Sequence, residues 1–352
     1  MPRLATLSED GWIEAVRGFL KDRKDSLQLL DALVAGRHHA WRGFLDLRPG
    51  CRVLCIGAGY GALVESLAPH CGQLYVLDPL LPRLRFVAQR QAIFNPQADL
   101  VLLHGGAEAQ LPFADNAFDA VILAEPAVVG DPAGRAGEAR RLLREGGQLF
   151  LIADNRFNLA LPPGWWDRLP KALGPLAPLL RGGVLAARWW RKDNGPHSLP
   201  GLTRQVTAAG FADLASYGLW PARRQFDEIL PLSGGRSSAP SGEIRSWKQR
   251  LRRRSFFLPA HCLIAQAGGQ RRPSSYERLF AAAAQQIDGG RESGVLEPWR
   301  HIMTRKDKMV VQARHGDAVV IVRIPFAAAA AEAEARHAAA LGRLARSHPG
   351  LA

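Results

Sequence analysis

The 352 residues exceed the roughly 100 to 200 of a typical single domain, so the chain is one large domain with additions or two domains. With 47% hydrophobic and 22% charged residues it has the composition of a folded chain, which excludes disorder and collagen. No apolar run approaches the roughly 18 residues of a membrane span, and Glu9 and Asp10 stand where a signal peptide would be apolar, so the expectation is a cytoplasmic protein. The net charge of +14 suits nucleic acid, an anionic membrane surface or an acidic substrate, but 39 of the 46 basic residues are arginine, which points to charge spread by biased residue usage. Cys51, Cys55, Cys71 and Cys262 form no CxxC pair and have no zinc-type spacing to histidine; they read as reduced core thiols, and no metal is expected.

In chain order, Trp12, Ile13, Val16, Phe19 and Leu20, then Leu27, Leu30, Leu33 and Val34, recur at helical spacing and predict a helical cover over residues 1–46. After Pro49-Gly50 short apolar runs take over at 53–56, 73–77, 100–103, 120–123 and 148–152, separated by helical stretches at 62–67, 84–93 and 134–144. This alternation predicts a parallel sheet with helices on both faces. Prolines and the pairs Trp165-Trp166 and Trp189-Trp190 break the rhythm over 159–200, which reads as a lid-like insertion. A helix over 202–209, a turn at Gly210, a strand over 212–219, a Gly/Ser/Arg-rich loop over 233–254 and a run at 256–266 follow. The last run is expected to pair back against its predecessor, completing a domain over 47–268. Ser274 and Glu277 make a capping box at the start of an α+β appendage over 274–352. Its strands at 309–313 and 318–324 flank a hairpin turn at His315-Gly316-Asp317, before an alanine-rich helix over 327–346.

Strand, then Gly57-Ala58-Gly59-Tyr60-Gly61-Ala62, then helix lets backbone approach a ligand and presents free amides to an anion. The loop satisfies both GxGxG and the relaxed GxGxxG/A dinucleotide pattern, and Asp78 stands at the distance of a ribose-binding carboxylate in either case. These residues specify an adenosine-containing ligand without saying which.

Four segments taken together, VLCIGAGYG (53–61), YVLDP (75–79), LPFADNAFDAVIL (111–123) and RLLREGGQLFLIADN (141–155), resemble the class I S-adenosylmethionine-dependent methyltransferases in order and spacing. The resemblance spans roughly 52–266 and implies a doubly wound, seven-stranded, mostly parallel α/β sheet of the Rossmann-like type, with S-adenosylmethionine as cofactor. It implies that Gly57, Gly59 and Gly61 cradle the methionine end, that Asp78 accepts hydrogen bonds from the ribose diol, that Ala58 and Pro79 also belong to the cofactor site, and that Glu108 approaches the adenine amine. Two departures are the stretch before Leu111, one residue longer than usual, and Cys55, where the family commonly carries an acid.

On the acceptor side the candidate bases are His197, Glu125 and Asp154, the last two at strand ends on the ligand-binding edge of an open sheet. Asn155, Arg156, Trp165, Trp166 and Tyr217 are candidate substrate contacts: a guanidinium suits an anionic group, and paired indoles suit an aromatic acceptor or core packing. The tryptophans, flanked by Arg188, Arg191 and Lys192, also suit a membrane surface through 159–192. The cations at 245–254 read as a solvated loop with phosphate binding as the alternative, and His38-His39 reads as surface.

From about Trp299 to Leu344 the chain resembles the opening of the N-terminal lobe of aminoglycoside-phosphotransferase-type kinases, with Arg323 where those carry a lysine and Glu332 and Glu334 in the following helix. No HxDxxxxN loop follows, so phosphoryl transfer is not expected, and a homodimer contact is one expectation for the tail. The overall expectation is a bacterial tailoring enzyme methylating a small molecule, glycan or peptide. Oxygen is favoured because Ala124-Glu125-Pro126-Ala127 replaces the NPPY-type segment of amino-directed relatives. An RNA methyltransferase, a nicotinamide-dependent oxidoreductase and a non-catalytic binding module are the rivals.

Overall fold

The computed structural model describes Gly11, 14–15, Gly18, 36–106, 110–124, 135–155, 198–220, 226–233, 236–237, 258–269, 272–287, 295–304, 308–326 and 331–336. The helices expected over 12–34, the insertion over 159–200 and the basic loop at 245–254 lie outside the described residues, Gly11, 14–15 and Gly18 and the rim 198–200 apart.

Five strands, β1 (Arg52–Ile56), β2 (Gln73–Asp78), β3 (Leu100–His104), β4 (Phe118–Leu123) and β5 (Leu143–Asp154), pair in parallel in the order β3-β2-β1-β4-β5. β6 (Ala212–Trp220) and β9 (Ala260–Gln266) continue the sheet, with β9 antiparallel between β5 and β6. This is the pairing expected of the run at 256–266, although the strand itself starts at Ala260.

The seven-stranded expectation falls short. Among the described residues the sheet has twelve strands, because β7 (Glu228–Ser233), β8 (Arg236–Ser237) and the tail strands β10 (Glu297–Met303), β11 (Lys308–His315) and β12 (Ala318–Pro325) extend it beyond β6. The tail therefore adds to the main sheet instead of forming its own. The joint is short, His301↔Ile229 and Ile302↔Glu228, and side chains reinforce it. Arg300 reaches Glu228 at 2.7 Å, and His301 Nδ1 donates to the Ile229 carbonyl at 3.2 Å.

The continuous apolar runs are explained by burial on both faces. Val53, Cys55, Ile122, Phe150 and Ile152 face one core cluster, while Leu54, Ile56, Val121, Leu149 and Leu151 face the other. α4 (Ala136–Leu142) and α5 (Leu199–Ala208) contribute to the second cluster. The first is covered by α1 (Trp41–Phe44), α2 (Ala62–Leu67), α3 (Leu81–Phe94) and α6 (Ser275–Ile287). Phe44 is its hub: its ring packs against Tyr217 at 4.8 Å, Tyr276 at 4.9 Å and His301 at 5.2 Å, joining α1 to β6, α6 and β10. α6 begins with the reciprocal capping box read from the sequence, Ser274 N donating to Glu277 at 2.7 Å and Glu277 N to Ser274 Oγ at 3.2 Å. The hairpin at Gly316-Asp317 also forms, with Gly316 at φ 59°. His38 and His39 are half-buried against Phe226 and Phe326, not surface groups.

None of the four cysteines is in a disulfide, and burial pushes the Cys71 thiol up to about 12. Among the described residues no helix is long and apolar enough to cross a membrane.

Candidate functional site

β1 ends at Ile56 and the chain turns at once into the glycine loop. Gly57, Gly59 and Gly61 have φ of 86°, 55° and 80°, a region that costs other L residues about 1–2 kcal/mol. Gly61 has a second constraint, since a Cβ there would stand 3.2 Å from Val87 and 3.3 Å from Arg90. The loop is tied down by Gly57 N donating to Leu77 O at 2.8 Å and by Gly61 N donating to Ala58 O at 2.9 Å.

β1 and β2 run in register, Ile56 opposite Leu77, so Asp78 emerges beside Gly57. Its carboxylate is fully buried; Oδ2 accepts the Ala58 amide at 3.0 Å and Oδ1 the Leu80 amide at 2.8 Å. An ionised carboxylate has about four acceptor positions, so each oxygen retains one lone pair beyond these amides, the number a vicinal diol requires. Arg83 Nη1 lies 3.8 Å from Oδ2. Gly57, Ala58, Gly59, Gly61, Asp78 and Pro79 thus converge, and they fit the ribose and methionine portions of S-adenosylmethionine.

Several supporting residues had no recognisable signal in the sequence. Arg90, 3% exposed, donates to the Tyr60 carbonyl at 3.0 Å and to Glu65 at 2.5 Å, bracing the loop from α3. His104 Nε2 donates to Pro79 O at 2.9 Å, and Arg135 donates to Gly106 O at 2.8 Å. The LPF segment is held by Arg141, which donates to the carbonyls of Leu111 at 3.1 Å and Phe113 at 2.9 Å and grips Glu138 with two nitrogens. The Arg141 hydrogen bonds keep the Glu138 carboxyl below its usual range, with the Leu111 amide adding to them and burial opposing. The LPF segment and Arg141 at the head of RLLREGG, distant in sequence, are thus two sides of one clamp.

On the acceptor side, Asp154 ends β5 at the same carboxyl edge, opposite Ala260. Asn155 is 1% exposed; its side chain donates to Leu258 O at 2.7 Å and its amide to Pro259 O at 2.9 Å, which fastens β5 to the approach of β9. Tyr217 lies level with Ile152, two residues inside the edge, with its ring on Phe44 in the core. Glu108, Glu125, Arg156, Trp165, Trp166 and His197 lie outside the described residues. A polar groove at the opposite edge of the sheet, around Asp119 and Arg144, is occupied by its own ion pairs, Arg144–Asp119 at 3.1 Å and Arg48–Asp46 at 2.9 Å.

A parallel β3-β2-β1-β4-β5 core extended by an antiparallel β9 and by β6, with a glycine loop facing a buried carboxylate at its carboxyl edge, defines the Rossmann-like methyltransferase fold. Residues 54–151 match the family described as Methyltransferase domain, and this segment is a class I S-adenosylmethionine-dependent methyltransferase domain. An uncharacterized methyltransferase of Mycobacterium tuberculosis is 36% identical over 123 residues, covering 35% of this chain and 46% of that protein. A ubiquinone/menaquinone biosynthesis C-methyltransferase of Bordetella avium is 31% identical over 144 residues, covering 38% of this chain and 55% of that protein. The chain spans about half the length of the curated relatives it matches. A putative methyltransferase structure from Bacillus halodurans superposes on 67% of this chain and 99% of its own, at 17% identity and a TM-score of 0.41, a likeness too distant to bear on activity.

Proposed function

We propose that the chain transfers a methyl group from S-adenosylmethionine to an oxygen of a small-molecule, glycan or peptide acceptor. The observation that carries this reading is the Asp78 carboxylate, locked by two amides beside the glycine loop with acceptor capacity left for a diol. S-adenosylmethionine, when bound, supplies a methyl group already activated on a sulfonium, so the protein's task is alignment and exclusion of water. Asp78 orients the ribose, and the backbone of 57–61 holds the methionine end. Asp154 stands at the edge where an acceptor hydroxyl would need a proton acceptor, with Glu125 and His197 as the other candidates. Asn155 shapes that edge by fixing the β5–β9 corner.

Calorimetric titration with S-adenosylmethionine and with nicotinamide dinucleotides tests the cofactor. Saturable binding of the former alone is expected, and preference for a dinucleotide would replace the reading with an oxidoreductase. Transfer of labelled methyl from the cofactor into small-molecule, glycan and RNA fractions identifies the acceptor class; label confined to RNA would favour the nucleic-acid reading suggested by the +14 charge. A carbon acceptor is the second reading, favoured by the identity to a C-methyltransferase, and the methyl carbon chemical shift of the product separates carbon from oxygen.

A further inference from the structure

β12 is the outermost strand of the sheet among the described residues. One side is paired to β11 along its whole length, from His315↔Ala318 to Lys308↔Pro325, and no described strand lies on the other. Such an edge is a template for another strand, and natural proteins usually blunt it with short length, bulges or charge. β12 runs eight residues against a typical 5 or 6 and pairs with β11 without a register break. Val320, Val322 and Ile324 pack inward on the core, which leaves Val319 at 54% and Ile321 at 48% exposure on the outer face beside Arg323.

We propose that a second copy of the chain occupies this edge, through antiparallel β12–β12 pairing about a two-fold axis normal to the sheet. That symmetry keeps like faces together, so inward residues meet inward residues and the dyad must pass through one residue. With the dyad at Val320, Val319 faces Ile321 of the other copy, closing the two exposed apolar pairs into one patch, and Asp317, in the hairpin turn one residue before the strand, comes to the end of the ladder next to Arg323 of the other copy on both sides. Placing it at Ile321 or Val322 sets Arg323 against Val319 or Ile321 and pairs no opposite charges. Asp317 is exposed and has no partner among the described residues. Arg323, 43% exposed, holds Glu334 only at 3.4 Å, while Lys308 binds the other Glu334 oxygen. The inference is independent of methyl transfer.

Sedimentation of the full chain across a concentration series tests it. The native protein is expected to dimerise, and Asp317→Arg and Arg323→Asp each to weaken the dimer at least about tenfold, because like charges then face each other. The double variant Asp317→Arg/Arg323→Asp restores both pairs and is expected to recover the dimer, which a generally damaged edge would not do. A monomeric native protein overturns the proposal, as does a double variant no tighter than the singles. Far-UV circular dichroism checks that each variant is folded.

Discussion

Asp78 and Ala58, twenty residues apart, meet in a 3.0 Å hydrogen bond from the Ala58 amide to Asp78 Oδ2. The bond makes the carboxylate that we propose for the ribose part of the glycine loop's own support, so that on this proposal cofactor affinity and loop stability depend on one side chain.

Asp78→Asn should weaken S-adenosylmethionine binding at least about 100-fold by calorimetry, since two charge-assisted hydrogen bonds are worth roughly 3 kcal/mol or more. It should also cost about 1–3 kcal/mol in urea unfolding, because an amide loses its buried acceptor. Unchanged affinity would remove the ribose assignment.

Arg90→Met should destabilise the fold by about 3 kcal/mol, since Glu65 loses its Arg90 ion pair in a largely buried site. The Tyr60 carbonyl also loses its donor, so cofactor affinity should fall in the refolded fraction. Arg90→Lys should recover part of both, and an affinity that tracks stability alone would reduce Arg90 to a structural role.

Gly43 and Tyr276 lie so close that a Cβ at position 43 would stand 2.1 Å from the Tyr276 ring. Gly43→Ala should lower stability by at least about 3 kcal/mol by prising α6 from α1. Tyr276→Phe should be neutral or stabilising by up to about 1 kcal/mol, as its buried hydroxyl has no hydrogen-bond partner among the described residues. Thermal melts followed by circular dichroism distinguish these outcomes.

Acid should unfold the chain through two histidines. Burial lowers His301 from 6.5 to about 4, and burial with the nearby Arg42, Arg90 and His70 charges lowers His39 to about 4. Both are neutral in the folded state and charge more readily when unfolded. Their contribution is therefore fully present above pH 6.5 and is lost as pH falls from 6.5 to 4, by roughly 3 kcal/mol for His301. Urea midpoints at pH 7, 5.5 and 4.5 should decline along that window, and His301→Phe should flatten the slope. A slope unaltered by that change would remove His301 as the cause.

What the amino-acid order determined by itself was local. The GAGYG turn, Asp78 at the end of the next strand, the Ser274–Glu277 capping box and the Gly316 hairpin each depend on residues a few positions apart or on one strand-to-strand step, and the double-faced burial is written in the continuous apolar runs. The tertiary structure decided how the edge of the sheet was built. β7 contains Pro231, and β10 contains Pro298 with a register break before Arg300, so neither shows a clean alternating pattern; each is a strand because a neighbour pairs with it. The Arg141 clamp, the Arg90 brace and the Phe44 hub join positions tens to hundreds of residues apart. Such contacts form only when packing brings distant segments together, and no local propensity encodes that encounter.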